Sequence, residues 1–341
     1  MTNFSDLTID EQQARLFGVA EAALSNWNLA GELSLIKQRE NTVYRLVTNE
    51  GAQYALRVHR ANYHSDVSLK SELAWMQALE SYGIGVPQVI PTTTGEYFTR
   101  VKIVGVSESR QVDLLDWIEG EQIGSIERGL GDDPDTIRHI YANIGRVAAQ
   151  VHNQSSHWTL PEGFERHAWN VEGLVGDNAL WGKFWELEAL TPEQRTKLLA
   201  AREQVRRELI EFGQASSDYS LIHADFVPEN FLVDGDQVNI IDFDDAGFGW
   251  HLFELATALY SVQGDKHYSI ARGALIEGYR EHRPLPSIQL ARLPLFLVVR
   301  GFTYLGWMHT RKGTETALEL TPLMIEMCFN TLEHYLDQSD G

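Results

Sequence analysis

The chain is expected to fold as an α+β protein in two lobes: an N-terminal lobe built on an antiparallel sheet, and a larger, mainly helical C-terminal lobe. Three observations predict this. At 341 residues the chain is too long for one small core. Strand-like runs gather in the first third, ending near residue 118. Beyond that point apolar residues recur at helical spacing almost to the end. The boundary falls between residues 117 and 118, giving lobes 1–117 and 118–341.

A hydrophobic content of 43% and a charged content of 22% are those of an ordinary globular protein. The net charge of −20 argues against nucleic acid as a partner, because counterion release needs Lys and Arg facing phosphate. It favours cationic ligands. One cysteine, Cys328, rules out an intrachain disulfide framework and suits a reducing compartment. The start, MTNFSDLTIDEQQ, lacks the basic and apolar regions of a signal peptide, so a cytoplasmic location is expected. The longest apolar run, Leu293 to Met308, carries Arg300 at its middle and reads as a buried helix, so no membrane partner is expected.

In the first lobe, residues 8–27 read as an amphipathic helix. Thr8 and Glu11 form a capping box, with Phe17, Ala20 and Leu24 on one face. Strands are predicted at 33–37, 43–48 and 54–59, with Asn49-Glu50-Gly51 turning between the last two. The turn between the first two, Gln38-Arg39-Glu40-Asn41-Thr42, has no glycine. In the third strand the period of two puts Ala55 and Arg57 on one face. A helix over 65–82, capped by Ser65 or Asp66, has Leu69, Leu73, Met76 and Leu79 as its stripe and Glu72 beside it. Gly83, Gly85 and Pro87 end it; GIGVPQ is no dinucleotide fingerprint, and no phosphate-cradling G-x-x-x-x-G-K-[ST] loop occurs. Strands at 97–104 and 111–118 lead into Asp116-Trp117-Ile118-Glu119-Gly120.

In the second lobe, a helix spans 136–152. Residues 158–190 are rich in aromatics, among them Phe164, Trp169, Trp181, Phe184 and Trp185, which are either core or the wall of a pocket. A further amphipathic helix covers 198–212. Then comes LIHADFVPENFLVDGDQVNIIDFDD, Leu221 to Asp245. Within it His223, Asp225 and Asn230 form H-x-D-x-x-x-x-N. Asp242 follows a short apolar run, and residues 233–238 turn as a tight hairpin. A phosphoryl-transfer loop needs this set: one carboxylate at the acceptor hydroxyl, and an amide oxygen and a second carboxylate for a hard cation such as Mg²⁺. A helix at 252–259 follows closely, and the remainder to about Leu336 reads helical, with a polar tail. Arg300 lies in an apolar stretch and needs a partner; Glu254 is the candidate.

This stretch resembles the catalytic core of the aminoglycoside phosphotransferase, choline kinase and homoserine kinase superfamily, a branch of the protein-kinase-like fold. Pro228-Glu229 before Asn230 and the IDFDDAG run are closest to its small-molecule branch. The resemblance implies ATP and Mg²⁺ as cofactors and a small-molecule hydroxyl as acceptor. It implies that Asp225 accepts or orients the hydroxyl proton, that Asn230 and Asp242 hold the metal, and that His223 braces the loop. Tyr54-Ala55-Leu56-Arg57 aligns with the kinase V-A-I-K signature: Ala55 would leave room for adenine, and Arg57 stands where the phosphate-binding Lys belongs. Glu72 would pair with Arg57. Asn41 and Thr42 either offer donors to phosphate or make an ordinary hairpin tip, and Trp117 and Ile118 lie at the hinge that meets the adenine edge or at a plain strand end. Asp244 and Asp245 would bind an amine of the substrate or cap the next helix, and Trp169 would belong to the acceptor wall. The protein-kinase pattern has Gly where Asp244 stands and then a long activation segment; neither is present, so constitutive activity is expected.

The function expected is phosphorylation of a homoserine-like amino acid, an amino alcohol or an aminosugar. A compact Ser/Thr protein kinase, or a nucleotide-binding module with little or no transfer activity, are the alternatives. The sequence does not set the oligomeric state.

Overall fold

The computed structural model describes residue 4 and residues 7–38, 41–124, 129–235 and 237–339. Arg39 and Glu40 of the glycine-free turn, and Asp236 of the expected hairpin, lie outside the described residues. The chain forms two compact units. One comprises Met1–Glu121, Thr159–Glu165 and Leu232–Ile241; the other comprises Gln122–Trp158, Arg166–Phe231 and Asp242–Gly341. The first unit therefore takes in two segments from beyond the contiguous boundary expected at 117/118.

In the first unit, helix α1 (Ile9–Ala23) begins at the predicted capping box: Glu11 N–H donates to Thr8 Oγ1, and Thr8 N–H to Glu11 Oε2. Its buried stripe is Leu16, Val19, Ala20 and Ala23. Phe17, expected on that face, sits at its margin with 36% of its surface exposed, its ring edge toward Tyr44. A 3-10 turn, Leu24–Trp27, closes on Asn28 in the left-handed conformation.

Strands β1 (Gly31–Gln38), β2 (Thr42–Thr48), β3 (Gln53–Val58), β4 (Phe98–Val101) and β5 (Arg110–Asp116) form an antiparallel sheet of order β1-β2-β3-β5-β4. Alternation sends Tyr44, Leu46, Leu56, Val58, Val112 and Leu114 into the core with α1. It sends Arg57 and its register partner Asp113 to the opposite face. Strand β4 is shorter than the expected 97–104, because Gly105 turns the chain at φ 93°. Helix α2 (Asp66–Tyr82) is capped by Ser65, whose Oγ accepts from Ser68 N–H, and ends on Gly83. Asp66 is no cap but pairs with Arg100. Leu69, Leu73, Met76 and Leu79 are buried as predicted, and so is Glu72.

A two-residue strand, β6 (Glu121–Gln122), precedes the second unit's first helix, α3 (Pro134–His157), which is longer than the expected 136–152 because Asp133 caps it earlier. Strand β7 (Ala168–Trp169), the short α4 (Val171–Val175) and a 3-10 turn at Phe184–Glu186 cover the aromatic segment. Helix α5 (Pro192–Phe212) starts at a Thr191–Gln194 capping box, ahead of the expected residue 198. Strand β8 (Tyr219–Ile222) leads into the motif, and β9 (Phe231–Asp234) and β10 (Gln237–Ile240) form the predicted hairpin. Strand β11 (Gly247–Trp250) pairs with both β7 and β8, where no strand was expected.

Five helices complete the unit: α6 (His251–Tyr260), α7 (Tyr268–His282), α8 (Ser287–Leu290), α9 (Leu293–Thr310) and α10 (Glu315–Ser339). Helix α10 carries the helix past the expected end near Leu336. Helices α3 and α7 cross closely through glycine: a Cβ on Gly145 would sit 2.1 Å from Leu275 O, and one on Gly278 would sit 2.1 Å from Ala142 O. Helix α9 is the apolar run around Arg300; it is buried for most of its length and packs on α6 and α10.

Candidate active site

In the first unit, Arg57 is held by two carboxylates. Its Nε and Nη2 donate to Asp113 Oδ1 and Oδ2 at 2.8 and 2.7 Å, and Nη2 lies 3.0 Å from Glu72 Oε1. The predicted Arg57–Glu72 pair is thus formed, with Asp113 as a third member. His59 Nε2 is 2.7 Å from Asp113 Oδ2. Burial by itself would raise the Asp113 carboxyl; the charges of Arg57 and then His59, with their hydrogen bonds, outweigh it and hold the group down at about 2. Asp113 and His59 were not singled out from sequence. The signal was available as a lone acid inside the apolar run Val112-Asp113-Leu114-Leu115, but strand register, which sets it opposite Arg57, is not written locally.

Ala55 shares the Arg57 face and is half-buried. Thr42 is the first residue of β2, paired with Val58, and its side chain is buried. Asn41 Oδ1 accepts from Arg60 N–H. Trp117 and Ile118 follow the end of β5, both half-buried, with the Arg45 guanidinium 4.9 Å above the Trp117 ring.

In the second unit the catalytic motif is a tightly braced loop. Ala224 takes φ 65°, a left-handed conformation that costs a non-glycine residue about 1–2 kcal/mol. Glu254, on α6, compensates: its two carboxylate oxygens accept from the N–H groups of His223 and Ala224 at 2.8 and 2.7 Å. Burial pushes Glu254 up to about 8, against those two donors. Glu254 thus ties the loop to α6. Asp225 N–H in turn donates to His223 Nδ1.

The Asp225 carboxylate is gripped at both oxygens. Asn230 Nδ2 donates to Oδ2 at 2.9 Å and also to the Asp225 carbonyl, which turns the amide oxygen of Asn230 away as its remaining acceptor. Arg300 Nη2 donates to Oδ1 at 2.9 Å. The expected partner of Arg300 was Glu254; the hydrogen-bonded partner is Asp225, because Glu254 is committed to the loop's backbone. The guanidinium also donates to Ala224 O and Tyr304 Oη, and lies among the rings of Tyr304, Trp181 and Phe253 at 4.3, 4.8 and 5.8 Å.

Asp242 is exposed and takes φ 68°. The turn after it is held by Arg166, whose guanidinium donates to the carbonyls of Asp244 and Ala246. Nothing in the sequence marks Arg166. Asp245 accepts from Trp181 Nε1 at 3.1 Å, and its carbonyl accepts from Trp169 Nε1. Burial, then the charges of Asp225, Asp244 and Asp242, drive the Asp245 carboxyl well above its usual range, so these four acids share one electrostatic neighbourhood. Trp169 itself is fully buried, stacked on Phe253, and meets the acidic turn through its N–H. Asp244 and Asp245 do not cap a helix: β11 stands between them and α6. From Asp242 to α6 the chain spends only this turn and one four-residue strand, too little for an activation segment.

The chain is 29% identical over 257 residues, 71% of its own length and 70% of the relative's, to a homoserine kinase of Rhizobium etli. It superposes on the structure of a microcompartment-associated aminopropanol kinase with a TM-score of 0.81 and 29% identity, over 94% of this chain and 98% of that one. An amicoumacin kinase in complex with AMP-PNP, Ca²⁺ and Ami gives a TM-score of 0.74 at 18% identity, covering 94% and 96%. The fold is thus the α+β, two-lobe, protein-kinase-like one expected. The phosphotransferase enzyme family matches residues 32–285, and the chain belongs to that family of small-molecule kinases.

Proposed function

We propose that this phosphotransferase moves the terminal phosphate of ATP, bound with Mg²⁺, to the hydroxyl of a small molecule that also carries an amine: an amino alcohol or a homoserine-like amino acid. The carrying observation is the state of Asp225, whose two oxygens are fixed by Asn230 and Arg300 in a loop clamped by Glu254. A carboxylate held this way is suited to receive and orient one hydroxyl. The donor set also fits a hard cation: with Nδ2 spent on Asp225, Asn230 has its amide oxygen to offer, and Asp242 adds an exposed carboxylate. When bound, Mg²⁺ neutralises charge on the transferring phosphate.

Arg57, fixed by Asp113 and Glu72, supplies a planar cation for the nucleotide phosphates. Asp244, with Asp242 and Asp225, gives the second unit negative charge suited to an ammonium group, and the Asp245 carboxyl, which those charges and burial hold toward its neutral form, would ionise on an ammonium's approach. The relatives named for homoserine and aminopropanol act on molecules with a hydroxyl and an amine, and the amicoumacin kinase complex pairs a nucleotide analogue with a divalent cation; both support the reading.

The test is an acceptor panel with radiolabelled ATP and Mg²⁺: amino alcohols, L-homoserine, aminosugars and a generic protein substrate, run with the unaltered chain and Asp225→Asn. The expected result is turnover of an amine-bearing alcohol, reduced about 1,000-fold by Asp225→Asn. Phosphoprotein as the main product, or turnover that survives Asp225→Asn, overturns the proposal.

A further inference from the structure

We infer that Arg300, which lies 75 residues beyond Asp225 in the chain and outside the catalytic motif, is a positioning residue for phosphoryl transfer. This rests on the reading of Asp225 as the group that orients the acceptor hydroxyl. The guanidinium is wholly buried, yet among the described residues its hydrogen bonds go only to the Ala224 carbonyl, the Asp225 carboxylate and the Tyr304 hydroxyl. A buried cation is costly unless something requires it there. Here the surroundings are built to hold it. Trp181, Tyr304 and Phe253 present rings within cation–π range, and Tyr304 lies one helical turn along α9, fixing the angle of the fork.

The contact with the loop is two-pronged. Nη1 holds the carbonyl of the left-handed Ala224, while Nη2 holds Oδ1 of the next residue. The loop is thus gripped from both sides, its N–H groups by Glu254 and its carbonyl and carboxylate by Arg300. Asn230 takes Oδ2, so rotation of the Asp225 carboxylate would break a bond at each oxygen. Arg300 therefore sets the direction in which the remaining lone pairs meet an incoming hydroxyl, and it does so from a helix rather than a loop. Arg300 also fills the aromatic cage with the protein's own cation, so those ring faces serve the catalytic loop and not a substrate ammonium.

The test compares Arg300→Met, Arg300→Lys, Tyr304→Phe and Asp225→Asn, measuring ADP release from MgATP with 1-amino-2-propanol and with L-homoserine, together with AMP-PNP affinity and thermal melting. Arg300→Met is expected to lower kcat about 100-fold while KM for ATP stays within about threefold. Arg300→Lys, which keeps a cation, should recover at least about tenfold of that loss. Tyr304→Phe keeps the ring and removes one bond to the fork; it should lower kcat about threefold to tenfold with unchanged melting. The inference is overturned if Arg300→Met keeps kcat within about threefold, or if Lys is no better than Met. Should Arg300→Met not fold, an unchanged kcat in Tyr304→Phe overturns it. Full activity in Asp225→Asn would instead sink the underlying reading of Asp225, which separates the two failures.

Discussion

Replacing Asp113 with Asn should weaken the first unit by a measurable and pH-dependent amount. Asp113 is fully buried and carries both Arg57 and His59. Holding its carboxyl at about 2, against the ordinary 3.8, corresponds to about 2 kcal/mol of stabilisation at neutral pH. Solvent screening does not reduce this figure, because the group has no exposed surface. It lies somewhat below the ~3–5 kcal/mol typical of stripping one partner from a buried pair, as expected when Glu72 remains beside Arg57.

The sign follows from the lowered pKa. The contribution is complete above the unfolded value near 3.8 and is lost as pH falls through 3.8 toward 2. At pH 3 about half of it should be left. Urea denaturation of the unaltered chain and Asp113→Asn, at pH 7 and at steps down to pH 3, measures the difference. Two lobes can unfold separately, so the transition followed is the one that the substitution moves. A difference below about 1 kcal/mol at pH 7, or one that does not shrink on acidification, would refute the electrostatic reading of this cluster.

Glu254→Ala leaves the buried N–H groups of His223 and Ala224 without their acceptor, which should cost about 2–6 kcal/mol in denaturation. It should also lower kcat, since the left-handed turn at Ala224 then loses the brace on its N–H side; a stable variant of normal turnover counts against the clamp. Gly278→Ala drives a Cβ to 2.1 Å from the Ala142 carbonyl, backbone against backbone. The α3–α7 pair should lose about 3 kcal/mol or more, read as a drop in melting temperature.

Much of the second unit's site was legible because it is local. The His223–Asp225–Asn230 spacing puts three hydrogen-bonding side chains on one short loop, and the structure joins Asn230 to Asp225 directly. Helix ends were legible for the same reason: Thr8 with Glu11 and Ser65 with Ser68 satisfy donors within one turn. Errors came where a partner lies far along the chain. Arg300 reads from the sequence as a charge in an apolar helix with Glu254 as its candidate partner, whereas its hydrogen-bonded partner is Asp225. That choice needed knowledge of which acid had already been spent on backbone N–H groups. Strand β11 was missed because Gly-Phe-Gly-Trp has little strand propensity of its own; β7 and β8 on either side supply its pairing.

The sequence by itself determined the two-lobe α+β class, the phosphotransferase motif, and the Arg57–Glu72 pairing that the resemblance implied. All of these depend on periodicity or on spacings within a few turns of chain, or on types that the motif demands. Only the tertiary structure decided which acid faces Arg57 across the sheet, which cation grips Asp225, and what props the left-handed turn at Ala224. The physical reason is range. Strand register and helix packing bring together residues 30 to 76 positions apart, and a buried charge takes whichever partner packing leaves unspent.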